Sequence, residues 1–143
     1  MPHLVLLYTP NLEPRIDMPG LCRRLADTML AQRDEEDKPV FPPGGTRVLA
    51  YPAAHFAVAD GGTAGRAAGG NGDYAFLYLN LRMGSGRSTA VHQKTGEALL
   101  NVARDHVAMY FAEHHLGVTL QIDESRGQVF DGKHSNLHSV FKK

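Results

Sequence analysis

The sequence has 143 residues, and 15 Lys and Arg side chains balance 15 Asp and Glu, so its formal net charge at pH 7 is zero. This length predicts one domain over residues 1–143, and a balanced charge gives no reason to expect nucleic acid as a partner. No apolar run approaches the roughly 20 residues that cross a bilayer, and the lone Cys22 excludes an internal disulfide and favours a reducing cytoplasm.

The beginning of the chain predicts a strand followed by a helix. Residues 3–8 form an apolar run that ends at a Thr-Pro-Asn turn signal, which is typical of a buried strand. Apolar side chains then recur every three or four residues over positions 18–30, as along one face of an amphipathic helix. Asp17 is the predicted N-cap of this helix, and Pro19 is compatible with its first turn.

A charged run and two short strands are predicted next. Residues 33–38, RDEEDK, indicate a solvated helix end and loop, and the FPPGG segment after them is not expected to form regular structure. Residues 47–51 and 55–59 are predicted as short strands on either side of Pro52.

A glycine-rich stretch, residues 60–73, separates the two halves of the chain. A phosphate-binding loop needs a helix after it and a Lys-Ser or Lys-Thr pair at its end. Here the following segment is another strand, so a flexible hairpin loop is the prediction, and the role of the stretch is left open.

The second half repeats the order of the first. Residues 74–82 are predicted as a strand, and Ser88, after a tight GSGRS turn, is the predicted cap of one long helix. Apolar positions on one helical face continue from Val91 to His114. Gly117 suits the C′ position of that helix, and residues 118–122 are the closing strand.

Two β-α-β units in tandem define the predicted fold class, α/β (α+β). Each unit has a parallel strand pair and a right-handed crossover, with both helices on one face of a mixed sheet. The tail, residues 128–143, has no strong period, although its SVF segment is compatible with an edge strand. Strand 74–82 is apolar on both faces, so the face without helices needs other copies of the chain to cover it. We therefore expect an oligomer.

Pro2 is the first candidate for chemistry. The methionine before it is commonly removed, which leaves a secondary amine at the start of a buried strand. An ordinary α-amine titrates at about 7.7–8.0, and burial together with nearby cations lowers the pKa of such an amine toward neutrality. Pro2 is then a general base at working pH. The alternative is a proline without a chemical role.

Two arginines strengthen this interpretation. Arg47 follows the FPPGGT turn at the entry to a strand, and Arg87 lies where the GSGRS turn meets the second helix. An anionic ligand beside Arg87 would find both a guanidinium fork and free backbone N–H groups. Taken singly, each arginine is also compatible with a loose surface salt bridge.

Several segments match one known family in order along most of the chain. They are the opening PH before an apolar strand, MPGL, FPPGGTR, VADG, the specific DYAFLYLNLRMGSGRS, and NLHSVFK. These segments resemble the 5-carboxymethyl-2-hydroxymuconate isomerase family of the tautomerase superfamily. By this resemblance Pro2 is similar to the family's amino-terminal proline, and Arg47 and Arg87 are similar to its two active-site arginines. The resemblance also implies tautomerase-like β-α-β units assembled as a homotrimer.

The resemblance implies an isomerase of aromatic-compound catabolism. It would move a proton by a 1,3-allylic shift in an unsaturated 2-hydroxy or 2-oxo diacid such as 5-carboxymethyl-2-hydroxymuconate. Pro2 would transfer the proton, while Arg47 and Arg87 would bind carboxylates of this di- or tricarboxylate substrate and stabilise the dienolate. No metal or organic cofactor is expected, because the conjugated carbonyl of the substrate accepts the electrons itself.

Two alternatives stay open at this point. One is another activity of the superfamily, either a phenylpyruvate-type tautomerase or a hydrolytic dehalogenase that uses the same proline. The other is a non-catalytic oligomeric binding protein with a blocked amine. The charged run and the glycine-rich stretch look longer than the family pattern requires, so substrate preference would differ if the stretch borders the pocket.

The other reactive side chains carry weaker predictions. Adjacent residues on a helix point about 100° apart, so His114 and His115 make a poor metal pair. Cys22 lies on the apolar face of a helix and is predicted to pack rather than react. The remaining histidines without a ligand spacing are predicted to be structural or on the surface: His92, His106, His134 and His138. Four aromatic side chains are compatible with either the pocket or the core: Tyr8, Phe41, Tyr51 and Phe56.

Overall fold

The computed structural model describes residues 2–142 and contains a mixed four-stranded sheet. Its strands are β1 His3–Tyr8, β2 Arg47–Pro52, β3 Ala75–Gly84 and β4 Leu116–Ser125, in the spatial order β2-β1-β3-β4. β1 is parallel to β2, β3 is parallel to β4, and β1 and β3 are antiparallel. The two parallel pairs are the two predicted units, which confirms the predicted fold class.

Five helices accompany these strands within the described residues. They are α1 Met18–Leu30, α2 Thr63–Ala67, α3 Thr89–His106, α4 Ala108–Glu113 and α5 Leu137–Val140. In the part of the chain that the structure describes, none of them is long and apolar enough to cross a membrane.

The core lies between one face of the sheet and the helices α1 and α3. Alternate side chains of the two central strands are buried on this face, as period-2 strands require. Those with no exposed surface are Leu4, Leu6, Leu77, Leu79 and Leu81. Helix α1 contributes Leu21, Leu25 and Met29 to the same cluster, and α3 contributes Leu99 and Ala103. Both helices therefore cover the same face of the sheet, as the two tandem units predict.

Both predicted caps form. The Asp17 carboxylate accepts a hydrogen bond from the Gly20 N–H at 2.9 Å, and the Ser88 hydroxyl accepts one from the Val91 N–H at 3.2 Å. Each cap satisfies a backbone donor that the first turn of a helix leaves without a partner. The two start sites were predictable because the signal is local in the sequence.

The other face of the sheet carries no helix. Leu7 on β1 is 48% exposed, and Tyr51 on β2 is 50% exposed. Phe76 on β3 also lies on this face and is exposed. Toward β4 the face becomes polar, with the Tyr78 hydroxyl donating to the Gln121 side chain at 2.9 Å. We refer to this side of the sheet as the open face.

The strand predicted for residues 55–59 is wrong. The Ala53 N–H donates to the Tyr8 carbonyl at 2.8 Å, and β1 ends at Tyr8. Beyond that point residues 55–59 have no neighbouring strand to pair with, so their apolar composition produces no sheet. The prediction for FPPGG is also corrected, because Pro43–Gly45 forms a 3-10 turn whose glycines are buried.

The glycine-rich stretch is not a hairpin loop. β1 lies between β2 and β3, so the stretch is a crossing connection, and it contains α2. The Asp60 carboxylate accepts hydrogen bonds from the N–H groups of Gly62 and Ala64, both at 2.9 Å. The Gly65 N–H donates to the Tyr74 hydroxyl at 2.8 Å. These contacts, which glycine content alone does not reveal, order the segment.

The long second helix is interrupted at Val107, between α3 and α4. Val107 departs from helical backbone angles, with φ −103° and ψ 7°. Its N–H nevertheless donates to Ala103, and the Phe111 N–H donates to Val107, so the apolar spacing continues across the break. That continuity is why the pattern predicted one helix.

Gly117 and the tail also differ from their predictions. Gly117 lies within β4 rather than at a helix end, and an added Cβ there would be 2.9 Å from the Phe76 ring. Close packing against the neighbouring strand, not capping, explains this glycine. The SVF segment adds no edge strand, because Ser139 and Val140 belong to α5, which packs on the Pro43–Gly45 turn.

Candidate active site

Pro2 and Arg87 line the same cavity, which has a volume of about 420 Å³. Pro2 is buried immediately before β1, and Arg87 lies between β3 and α3. Three further segments line the cavity. They are residues 40–42, residues 83–86 at the end of β3, and the tail, which contributes Lys133 and His138. A proline and an arginine thus line one open pocket. Removal of Met1, on which the basicity of Pro2 depends, concerns a residue outside the described range.

Arg87 is held by the segment that follows α1. Its Nη2 donates to the Val40 carbonyl at 3.0 Å, and its Nη1 lies 3.6 Å from Oδ2 of Asp34. The other carboxylate oxygen of Asp34 accepts the N–H groups of Glu36 and Lys38 at 2.9 and 3.0 Å. The Lys38 N–H, then the Glu36 N–H and the Arg87 guanidinium, hold the pKa of Asp34 below its ordinary value.

Glu35, the residue after Asp34, holds the start of α3 in place. Its carboxylate accepts a hydrogen bond from the Ser88 hydroxyl, and this bond lowers the pKa of Glu35. Residues 33–38 are mostly exposed, as predicted, but they are more than a solvated loop. Asp34 and Glu35 together orient Arg87 and the N-terminal turn of α3 toward the cavity.

Arg47 lies in an adjoining cavity of about 720 Å³ rather than in the cavity of Pro2. It pairs in register with His3 on β1, and His3 pairs on its other side with Arg82 of β3. Burial, followed by the charges of Arg47 and Arg82, lowers the pKa of His3. These three side chains form a basic cluster on the open face.

The two cavities share one wall, formed by Met83, Gly84, Ser85 and Lys133. The structure therefore brings two of the three predicted site residues into one cavity. It places the third across a wall that the end of β3 and the tail build together. An arginine therefore lies on each side of that wall.

Two residues that line the cavity of Pro2, His138 and Lys133, are not predicted from the sequence. The sequence predicts a structural or surface role for His138, because the tail has no periodicity that indicates where it folds back. The one available signal was the NLHSVFK segment, whose resemblance to the family includes this histidine.

The four aromatic candidates can now be assigned to the pocket, to the core or to neither. Phe41 lines the cavity and is also buried in the core, whereas Tyr8 lies in the core and donates to the Glu13 carboxylate. Burial and this hydrogen bond raise the pKa of Tyr8 to about 12. Tyr51 and Phe56 are about half exposed, at 50% and 49%, and belong to neither group.

The surroundings of Cys22, His114 and His115 indicate packing roles rather than catalysis or metal binding. Burial raises the pKa of the Cys22 thiol, which opposes a role as a nucleophile. The His114 ring stacks on Tyr110 at 4.3 Å between centroids, and His115 meets Tyr74 edge-on at 5.9 Å. Among residues 2–142, no three His, Cys, Asp or Glu side chains are grouped as metal ligands would be.

Comparison with known proteins adds independent information. Residues 2–141 match the family model described as 5-carboxymethyl-2-hydroxymuconate isomerase. A 5-carboxymethyl-2-hydroxymuconate Delta-isomerase of Escherichia coli is 28% identical over 142 residues, which are 99% of this chain and the whole of that protein. A crystal structure of a 5-carboxymethyl-2-hydroxymuconate delta-isomerase is 55% identical with a TM-score of 0.95, covering all of this chain and 94% of that one. A 5-carboxymethyl-2-hydroxymuconate isomerase from Deinococcus radiodurans R1 is 37% identical with a TM-score of 0.78, covering 99% and 95%.

Proposed function

The chain belongs to the 5-carboxymethyl-2-hydroxymuconate isomerase family and is an isomerase, and we propose that it moves a proton by a 1,3-allylic shift in 5-carboxymethyl-2-hydroxymuconate. This reaction would serve the catabolism of aromatic compounds. The observation that carries the proposal is the cavity that Pro2 and Arg87 line together.

Pro2 is the proposed base. With Met1 removed, its nitrogen is a secondary amine at the buried start of β1. The neutral amine takes a proton from the substrate, which leaves a dienolate, and the resulting ammonium returns that proton to a carbon further along the conjugated system. The proton is conserved, and its bonding electrons stay on the 2-oxygen, which becomes the carbonyl oxygen of the product, so the reaction needs no cofactor.

The arginines are the proposed carboxylate ligands. The name of the substrate specifies a muconate, which has two carboxylates, and a carboxymethyl group that adds a third. Arg87 would bind one carboxylate beside the reacting carbons, because Asp34 and Val40 hold its guanidinium at the cavity. Arg47 would bind a second carboxylate from the adjoining cavity, across the wall at Met83 to Ser85.

We propose a homotrimer as the working form. The open face exposes Leu7, Tyr51 and Phe76, an area that a neighbouring copy would cover. Arg47 lies in register with His3 on that same face, so a neighbouring copy would border its cavity. The lone Cys22 agrees with a reducing cytoplasm as the compartment of this trimer.

A substrate comparison tests the proposal. The purified enzyme, with Pro2 confirmed as its first residue by intact mass, is assayed by ultraviolet absorbance with 5-carboxymethyl-2-hydroxymuconate and with phenylpyruvate. Phenylpyruvate has one carboxylate, so it lacks at least one ion pair, which is worth about 2 kcal/mol. Its kcat/KM should therefore be at least about 30-fold lower than that of 5-carboxymethyl-2-hydroxymuconate. Equal or better turnover of phenylpyruvate would transfer the assignment to the phenylpyruvate-type alternative. No observation in this structure favours that alternative or the dehalogenase.

A further inference from the structure

His138 lines the cavity of Pro2 and Arg87, and it is set apart from the rest of the tail. Among residues 126–142, it is the one residue that is partly buried, and the others are exposed. The proton transfer and carboxylate binding proposed above give this imidazole no role. Its place beside Pro2 and Arg87 makes it a candidate for a further part in the reaction.

Gly44 shows how closely the histidine is held. A Cβ added at Gly44 would lie 2.7 Å from Nδ1 of His138 and 2.9 Å from its Cα. Only glycine therefore lets α5 approach the Pro43–Gly45 turn this closely. The turn continues directly from Phe41 and Pro42, which line the same cavity. The position of His138 is thus fixed by the wall of the site.

The charged and polar side chains that line this cavity differ in the substrate groups that they can bind. Arg87 and Lys133 are cations suited to carboxylates, although Lys133 already contacts Asp131 at 2.8 Å and Arg87 contacts Asp34. Ser85 is a hydroxyl at the wall shared by the two cavities. An imidazole has at least one N–H to donate in either of its protonation states. It suits an oxygen that gains negative charge only during the reaction.

We propose that His138 is a further catalytic residue of this isomerase, whose N–H donates a hydrogen bond to the oxygen on C2 of the substrate as the dienolate forms. This inference rests on the proposed function. Pro2 alone carries the proton, and His138 stabilises the negative charge without transferring a proton itself. A donor fixed in advance by its surroundings stabilises such charge without reorganising during the reaction.

Three variants test the role. His138→Leu removes the donor, His138→Gln restores an N–H, and His134→Leu is the matched control, since it changes an exposed histidine of the same tail. His138→Leu should lower kcat by about 100- to 1000-fold with little change in KM, as for the loss of one such donor. His138→Gln should recover at least about tenfold, and His134→Leu should resemble the wild type.

Binding of adipate separates catalysis from packing. Adipate is a saturated dicarboxylate without an oxygen on C2, so its Kd depends on the arginines and should be unchanged in His138→Leu. A parallel loss of adipate binding and kcat, or a kcat within about twofold of the wild type, would overturn the catalytic role. If the wild type does not turn over 5-carboxymethyl-2-hydroxymuconate, the proposed function fails and this role fails with it. If the wild type and all three variants turn it over equally, only the role of His138 fails.

Discussion

Arg87 owes its orientation to residues about 50 positions away in the sequence. The Val40 carbonyl accepts from Nη2, and the Asp34 carboxylate lies opposite Nη1. An exposed arginine in a glycine-rich turn would sample many rotamers, and these two contacts reduce that freedom before a substrate arrives. Arg47 is placed by its strand register instead, opposite His3.

Replacing Arg87 separates charge from geometry. Arg87→Ala should weaken dicarboxylate binding by about 2–5 kcal/mol, because a cation that pairs with a carboxylate is lost. Arg87→Lys should recover only part, since one ammonium cannot reproduce the bidentate fork. Steady-state kinetics with 5-carboxymethyl-2-hydroxymuconate and the Kd of adipate measure both effects.

The control for Arg87 is Arg104→Ala, an exposed arginine of α3 outside both cavities. It should behave as the wild type. Unchanged kinetics in Arg87→Ala would instead show that this residue is an ordinary surface arginine.

Individual site residues were predictable to different degrees. Pro2 and Arg87 stand in segments that resemble the family, and the structure places both in one cavity. His138 and Asp34 were not predicted, because each reaches the site through contacts between distant parts of the chain. A sequence pattern carries no direct information about such contacts.

Among the elements, those with local signals were predictable. The caps Asp17 and Ser88 and the apolar spacing define the beginnings of α1 and α3 from the sequence alone. Residues 55–59 failed as a strand because a strand also needs a partner, and β1 has already ended at Tyr8. Helices α2 and α5 are only five and four residues long, too short for periodicity to reveal.

Gly65→Ala tests how firmly α2 is fixed. An added Cβ would be 2.7 Å from the Tyr74 ring and 3.3 Å from His115, so α2 must shift and the hydrogen bond from Gly65 to Tyr74 is strained. We expect a loss of about 1–3 kcal/mol in the free energy of unfolding. Denaturant titration at fixed protein concentration measures it.

Gly84→Ala is the matched control, since an added Cβ at Gly84 meets no atom within 4 Å. It should be neutral or stabilise by about 0.4–1 kcal/mol through the unfolded state. Identical stability of the two variants would show that α2 does not depend on its contact with Tyr74.

At the scale of the whole molecule, the sheet has one face covered by helices and one open face. The apolar side chains of the open face lie on β1, β2 and the start of β3, whereas toward β4 the Asn80 side chain donates to the Asp123 carboxylate at 2.8 Å. The sequence predicted the uncovered face from the two-sided apolar character of β3, but not this division into apolar and polar halves. The division follows from cross-strand register, which joins residues far apart in the chain.

Leu7→Lys tests whether the open face holds the assembly together. The wild type should scatter light as a trimer, with three times the chain mass of 15.6 kDa. Leu7→Lys places a charge in the middle of the apolar half and should shift the mass toward the monomer. Met109→Lys changes a side chain that is 88% exposed on α4 and should remain a trimer. A monodisperse wild-type monomer at micromolar concentration would contradict the proposed assembly.

The measurement that tests the central claim most directly compares two preparations that differ only before Pro2. Intact mass shows Pro2 as the first residue of one, and Met1 or an added residue remains on the other. Because an amide nitrogen is not basic, the extended form should lose at least about 100-fold in kcat/KM with 5-carboxymethyl-2-hydroxymuconate. Its melting temperature and assembly mass should match those of the processed form. Full activity in protein proven by mass to carry Met1 would contradict the account and remove Pro2 from the mechanism.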